Sequence, residues 1–272
     1  VVQVIQIDDP ADERLADFRD LSTADRRPDR PGGRGLVLAE GVVVVERLLA
    51  SPYPVRALLG VQRRIEALAD QLESVDVPAY VTSAEIMAEV VGFHLNRGVL
   101  ASADRAPMPA PADLAARSRC LAVLEGVGDH ENLGSIFRNA AALGVDGVLL
   151  GPGCSDPLYR RSVRVSMGHV LRVPFSTVEP WPDGLKTLRD NGFRIAALTP
   201  RADSRSLRTA VAGVGKVALL LGSEGPGLTE EAITAADLPV RIPMAPGVDS
   251  LNVATAAAVA FYEVTQALDP DH

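Results

Sequence analysis

Aromatic residues are scarce in this chain: 4% of 272 positions, with one tryptophan, four tyrosines and six phenylalanines. The core must therefore be built from Val, Leu, Ile and Ala. Few rings remain for stacking exposed bases, which argues against a general single-strand binder. Positive charge is also in deficit. Twenty-seven Lys and Arg stand against 35 Asp and Glu, a formal net charge of -8, whereas tight non-specific binding to nucleic acid depends on neutralising phosphates. Cysteine is nearly absent. Cys120 and Cys154 are far apart and lack metal-ligand spacing, and His94, His130, His169 and His272 form no cluster with them, so no structural zinc site is expected. No apolar run approaches bilayer-spanning length, and the first residues carry no signal-peptide pattern. A reduced, cytoplasmic setting without a membrane is the expectation.

What is there describes an ordinary globular protein. The hydrophobic fraction is 47% and the charged fraction 23%, enough for a proper core, and the length suits one large domain or two ordinary ones. Residues 106–111 read APMPAP. Three prolines in six residues favour extended chain, so a linker is expected over 106–117, between a front part (1–105) and a back part (118–272). Two local groups of arginine stand out against the acidic background: Arg26, Arg27, Arg30 and Arg34, then Arg160, Arg161, Arg164 and Arg172. Each reads as a solvated loop unless something else points to RNA.

Both parts read as α/β. In the front, residues 36–39 form a short apolar run before Glu40-Gly41, and residues 55–59 and 77–82 have strand character. Residues 63–72 have helical spacing, and Ser83 is placed to cap a helix over Ala84–Val91. In the back, strands are expected at 120–124, 148–150, Arg194–Leu198, 217–221 and 240–242. A helix over 135–143 ends at Gly144. A last helix from Asn252 to about Leu268 is apolar almost all round, which predicts burial on more than one side and packing between subunits.

Three loops of the back part follow strands and carry chemistry. In the first, Asn132-Leu-Gly-Ser-Ile-Phe-Arg138, a dinucleotide-binding reading fails because Glu131 occupies the place of the third glycine. Asn132 there could cap a helix, and Arg138 could be a surface residue. The second, Gly222-Ser-Glu-Gly-Pro-Gly227, holds three glycines in six residues, which suits close approach of backbone to a ligand. It lacks the lysine of a phosphate loop. The third runs Ile242-Pro-Met-Ala-Pro-Gly-Val-Asp-Ser250-Leu-Asn252, apolar residues beside polar ones, a combination suited to a flat heterocycle held by a few directed hydrogen bonds. Loops that follow parallel strands gather at one sheet edge, where open α/β sheets bind ligands.

Together these stretches closely resemble the ordered motifs of the SpoU/TrmH family, a branch of the SPOUT superfamily of RNA methyltransferases. Those motifs match Asn132-Leu-Gly134 with Arg138, Gly222 to Gly227, and Ile242-Pro-Met244 with Ser250-Leu-Asn252-Val-Ala. The front part is similar, more loosely, to the family's substrate-binding domain at Phe18-Arg-Asp-Leu21, Leu38-Ala-Glu-Gly41 and Gly92-Phe-His94 with Arg97-Gly-Val-Leu100. The resemblance implies a small N-terminal α/β domain and a C-terminal SPOUT domain, a parallel sheet with a deep trefoil knot. Composition and spacing do not show that knot. It also implies S-adenosylmethionine held by Gly222, Ile242, Met244, Leu251 and Val253, and a homodimer. The expected reaction is methyl transfer to a ribose 2′-hydroxyl of RNA without a metal, with ribosomal RNA favoured over transfer RNA.

Asn132, Arg138, Glu224, Ser250 and Asn252 are the expected catalytic group. A guanidinium is a poor proton acceptor, so Arg138 is read as binding the adjoining phosphate and stabilising charge on the 2′-oxygen, with proton acceptance by Arg138 itself, aided by that phosphate, as the alternative. Asn132 and Glu224 are read as positioning Arg138 and the nucleotide, and Ser250 and Asn252 as holding the ribose or ordering the cofactor loop. Arg160, Arg161 and Arg164, with His94 and Arg97 in the front part, are the expected contacts to RNA backbone. Rival readings are a non-catalytic RNA- or ribosome-binding protein on this fold, methylation of a base instead of a ribose, and, more distantly, a dinucleotide-dependent oxidoreductase.

Overall fold

The computed structural model describes residues 2–21, 35–248 and 250–269. The first arginine group, Arg26, Arg27, Arg30 and Arg34, lies outside the described residues, as does His272. The chain forms two compact units, Val1–Pro107 with Asp156–Arg172, and Met108–Ser155 with Val173–His272.

The first unit holds a five-stranded sheet: β1 (Gln3–Gln6), β2 (Val37–Glu40), β3 (Val55–Gly60), β4 (Pro78–Val81) and β5 (Val99–Ala103), in the order β1-β4-β3-β5-β2. β1, β4 and β3 run parallel, and β5 lies antiparallel to both β3 and β2. One face packs Leu38, Leu59, Tyr80 and Leu100 against Phe18, Met87 and Val91. Ser83 caps Ala84–Val91 as expected, accepting the amide of Ile86 at 3.2 Å. Residues 63–72 differ from the single helix their spacing predicts. They form two short helices, Gln62–Glu66 and Ala69–Leu72, broken at Leu68. The apolar face is kept, because Ile65, Leu68 and Leu72 are all buried.

The second unit is a seven-stranded, wholly parallel sheet. Its strands are β6 (Cys120–Glu125), β7 (Gly147–Leu150), β8 (Phe175–Thr177), β9 (Arg194–Leu198), β10 (Arg205–Ser206), β11 (Val217–Gly222) and β12 (Leu238–Arg241), in the order β10-β12-β9-β11-β6-β7-β8. The central strands β6 and β7 are buried along their whole length. Both faces must therefore be covered, which is why these strands read as unbroken apolar runs. On one face Leu121, Val123, Leu149, Ile195 and Leu220 pack against Leu114, Leu188 and Ala232 of three short helices. The helices His130–Leu143 and Val253–Leu268 pack on each other, and the latter also on β11.

Two expectations about organisation need correction. The stretch read as a linker contributes a helix, Pro111–Ala116, whose Leu114 and Ala115 belong to the core of the second unit. Pro111 opens that helix, at a position where its missing N–H costs nothing. The back part is also not continuous. Segment Asp156–Arg172, which carries the second arginine group, belongs to the first unit. There Arg105 holds Asp156 in a salt bridge and Arg47 donates to the carbonyl of Met167.

Candidate active site

Chain connectivity decides where the second sheet can bind something. From β6 the chain steps outward to β7 and β8, then crosses to β9 on the other side of β6, and the late strand β11 fills the gap. Open α/β sheets bind ligands outside the carboxyl ends of their strands at such a reversal. A cavity of about 540 Å³ lies there, lined by the segments that leave β9, β11 and β12 and by the start of the last helix. Its size falls within the range of small-molecule sites.

All five residues expected to hold a cofactor, Gly222, Ile242, Met244, Leu251 and Val253, line this cavity, and so do Glu224, Ser250 and Asn252. Gly222 is required by packing. A Cβ placed on it would stand 2.4 Å from the backbone of Gly227 and Leu228, because the loop folds back on itself with the amide of Gly227 donating to the carbonyl of Ser223 at 3.1 Å. Among the described residues the walls are mostly apolar, with one carboxylate, Glu224, and one guanidinium, Arg241. Arg241 makes no ion pair among the described residues.

Asn252 connects the three loops. Its Oδ1 caps the last helix, accepting from the amides of Ala254 at 3.0 Å and Thr255 at 3.1 Å. That fixes the amide orientation, so Nδ2 donates to Oδ1 of Asn132 at 2.8 Å and to Oε1 of Glu224. One side chain thus satisfies a helix end and joins residues 120 and 28 positions away. Asn132 is available for this because it is not a cap. The helix His130–Leu143 starts earlier than its periodicity predicts, and Asp129 caps it by accepting from Glu131 and Asn132 at 2.9 Å. The same helix is tied to the last one where Asn139 donates to the carbonyl of Ala254 at 2.9 Å.

Arg138 is exposed on that helix and does not line the cavity. It stands six residues past Asn132, about 9 Å farther along the axis. Cavity residues that sequence reasoning did not assign to the site include Thr199, Pro200 and Arg241. Pro200 closing a strand was the available signal for the first two. Arg241 alternates with buried Val240 and offered none beyond its charge.

In the first unit, stretches far apart in sequence also meet. Arg160 lies over the Phe93 ring, 4.9 Å from its centroid, with Nη1 3.6 Å from Oε2 of Glu40. Arg97 donates to the Glu40 carbonyl at 3.3 Å. Burial pushes the Arg160 pKa down, and the Glu40 carboxylate acts against that shift. Arg160 is thus engaged within its unit; the side chains of Arg161, Arg164 and His94 are exposed.

With this geometry in hand, comparison with known proteins gives consistent findings. The SpoU rRNA Methylase family matches residues 119–262. An uncharacterized tRNA/rRNA methyltransferase of Mycobacterium tuberculosis is 57% identical over 97% of this chain and 93% of its own length. A similarly described protein of Synechocystis is 33% identical over 74% of this chain and 72% of its own. Among solved structures, an AdoMet-bound rRNA methyltransferase from Sinorhizobium meliloti superposes with a TM-score of 0.81 at 25% identity, covering 97% of this chain and 98% of that one.

Proposed function

Because this chain belongs to the SpoU rRNA methylase family, we propose that it transfers a methyl group from S-adenosylmethionine to a ribose 2′-hydroxyl of RNA, with ribosomal RNA the favoured acceptor. The observation that carries this reading is the Asn252 amide, which ties Asn132, Glu224 and the last helix together at the rim of one cavity. The cavity fits the cofactor. Apolar Leu198, Leu221, Ile242 and Leu251 suit the faces of an adenine, and Glu224 and Arg241 match in sign the positive and negative groups of a zwitterionic sulfonium.

When bound, S-adenosylmethionine supplies an electrophilic methyl group. The chain's own part is placement, and holding two reactants in attack geometry can account for roughly 7–11 kcal/mol of a barrier. Gly222, Ile242, Met244, Leu251 and Val253 hold the cofactor in this proposal. Asn132, Glu224, Ser250 and Asn252 position the nucleotide. Arg138, exposed on the helix that begins beside Asn132, binds the phosphate next to the acceptor sugar and stabilises charge on its 2′-oxygen. Arg161 and Arg164 contact RNA backbone from the first unit, with Arg160 beside them.

Further parts of the proposal are a C-terminal trefoil knot, a homodimer and a cytoplasmic location. The dimer is supported by Val259 and Tyr262, 38% and 55% exposed on the face of the last helix opposite its buried residues. No described helix is long and apolar enough to cross a membrane.

The test is to incubate the purified chain with S-adenosylmethionine and ribosomal RNA, then digest the product. Ribose methylation leaves dinucleotides that resist nuclease, and Arg138→Ala should abolish them while calorimetric cofactor affinity stays within about twofold. Methylated mononucleotides released from every position would mean base chemistry and overturn the ribose assignment.

A further inference from the structure

Glu125 ends β6 and is 5% exposed, a carboxylate buried beside the cofactor loop. It is the register partner of Gly222 on β11, at the point where the loop leaves the sheet. Its side chain takes hold of the loop's other end. Oε2 accepts the backbone amide of Thr229 at 2.9 Å, and Oε1 accepts the Thr229 hydroxyl at 2.9 Å and the Trp181 indole N–H at 2.8 Å. Thr229 in turn caps the helix Glu230–Ala235, accepting from Ala232. The next residue supports the near end. Gly126 has φ +71°, and a Cβ there would press on Ser223 at 3.2 Å.

We propose that Glu125 is the positioning residue of the S-adenosylmethionine loop, clamping Thr229 beside the strand end at Gly222 so that residues 222–228 keep the shape that lines the cavity. Nothing in the methyl transfer requires a carboxylate here, since Glu125 does not line the cavity. The arrangement needs one all the same. Three donors converge on two acceptor oxygens, and an amide of the same size always presents an NH₂ to at least one of them. If a glutamine carbonyl took the place of Oε1, its NH₂ would face the Thr229 N–H. In the opposite orientation the NH₂ would face the indole N–H. A buried donor left facing another donor carries its full desolvation cost, and the loop can avoid that only by moving. The naming of the ligand rests on the proposed function. The tether itself does not.

The experiment compares wild type, Glu125→Gln and a control, Met87→Ala, which thins the core of the first unit. Three quantities are measured on the full chain: thermal midpoint, hydrogen exchange of amides 223–229 without cofactor, and calorimetric affinity for S-adenosylmethionine. Glu125→Gln should speed exchange in the loop and weaken cofactor binding by about tenfold or more. In turnover, KM for the cofactor should rise while kcat at saturation changes by less than about threefold. The control should lower the midpoint and leave the loop and the affinity as they were. Trp181→Phe and Thr229→Val each remove one donor, so they should move both loop readouts the same way by less, which keeps the test alive if the glutamine variant fails to fold. The inference is overturned if loop exchange and affinity in Glu125→Gln match wild type, or if Met87→Ala reproduces both changes. A wild type that binds no S-adenosylmethionine would defeat the cofactor assignment, and loop exchange would still decide the tether.

Discussion

Asn252 performs two jobs with the two ends of one amide, and they can be separated. Its oxygen caps the last helix and its nitrogen bridges Asn132 and Glu224. Asn252→Asp keeps an oxygen for the cap but removes the donor and sets a second carboxylate against Glu224. Asn252→Ala removes both functions, and loss of the cap alone costs about 1 kcal/mol. Both variants should lose methyl transfer, whereas only the alanine should lose the cap's contribution to stability. Thermal unfolding run beside the transfer assay reads this directly. Equal activity in the aspartate variant and wild type would show that the bridge does not matter.

At the scale of elements, the loop after β11 depends on backbone packing more than on its side chains. With backbone atoms 2.4 Å from the ideal Cβ position of Gly222, no flexible neighbour can yield, and overpacking of this kind costs roughly 1–3 kcal/mol. Gly222→Ala should therefore displace residues 223–228 and reduce cofactor affinity by about tenfold or more, measured by calorimetry. The change in thermal midpoint should be modest, because the strand itself, Val217–Gly222, is held by β6 on one side and β9 on the other. An alanine variant with unchanged affinity would mean that the loop's shape is not what the ligand reads.

For the whole molecule, the proposed dimer assigns the contact between copies to the last helix. Val253, Ala257, Phe261 and Val264 are buried within one chain, and Val259 and Tyr262 are exposed on the opposite side. A glutamate at either exposed position leaves the chain's own core untouched but cannot be desolvated cheaply at an apolar contact. Val259→Glu and Tyr262→Glu should each shift sedimentation from dimer towards monomer without lowering the monomer's helix content. Wild type sedimenting as a monomer at all concentrations would remove the dimer from the proposal.

Much of this was legible in the sequence. Alternating apolar runs and turn residues implied two α/β parts, and the chemistry of the three loops is local: glycine where backbone approaches backbone, asparagine at a helix start, proline closing a strand. Such signals depend on a residue and its near neighbours and made the loops readable, whereas the eight cavity residues were named through the family resemblance of those loops. The tertiary structure alone decided how donors and acceptors are shared. That Asp129 and not Asn132 caps the helix His130–Leu143, that Glu125 grips Thr229, and that Asp156–Arg172 joins the first unit are outcomes of competition among partners far apart in the chain. Hydrogen bonds are short-ranged and indifferent to sequence separation, so only folding settles which partner lies within reach.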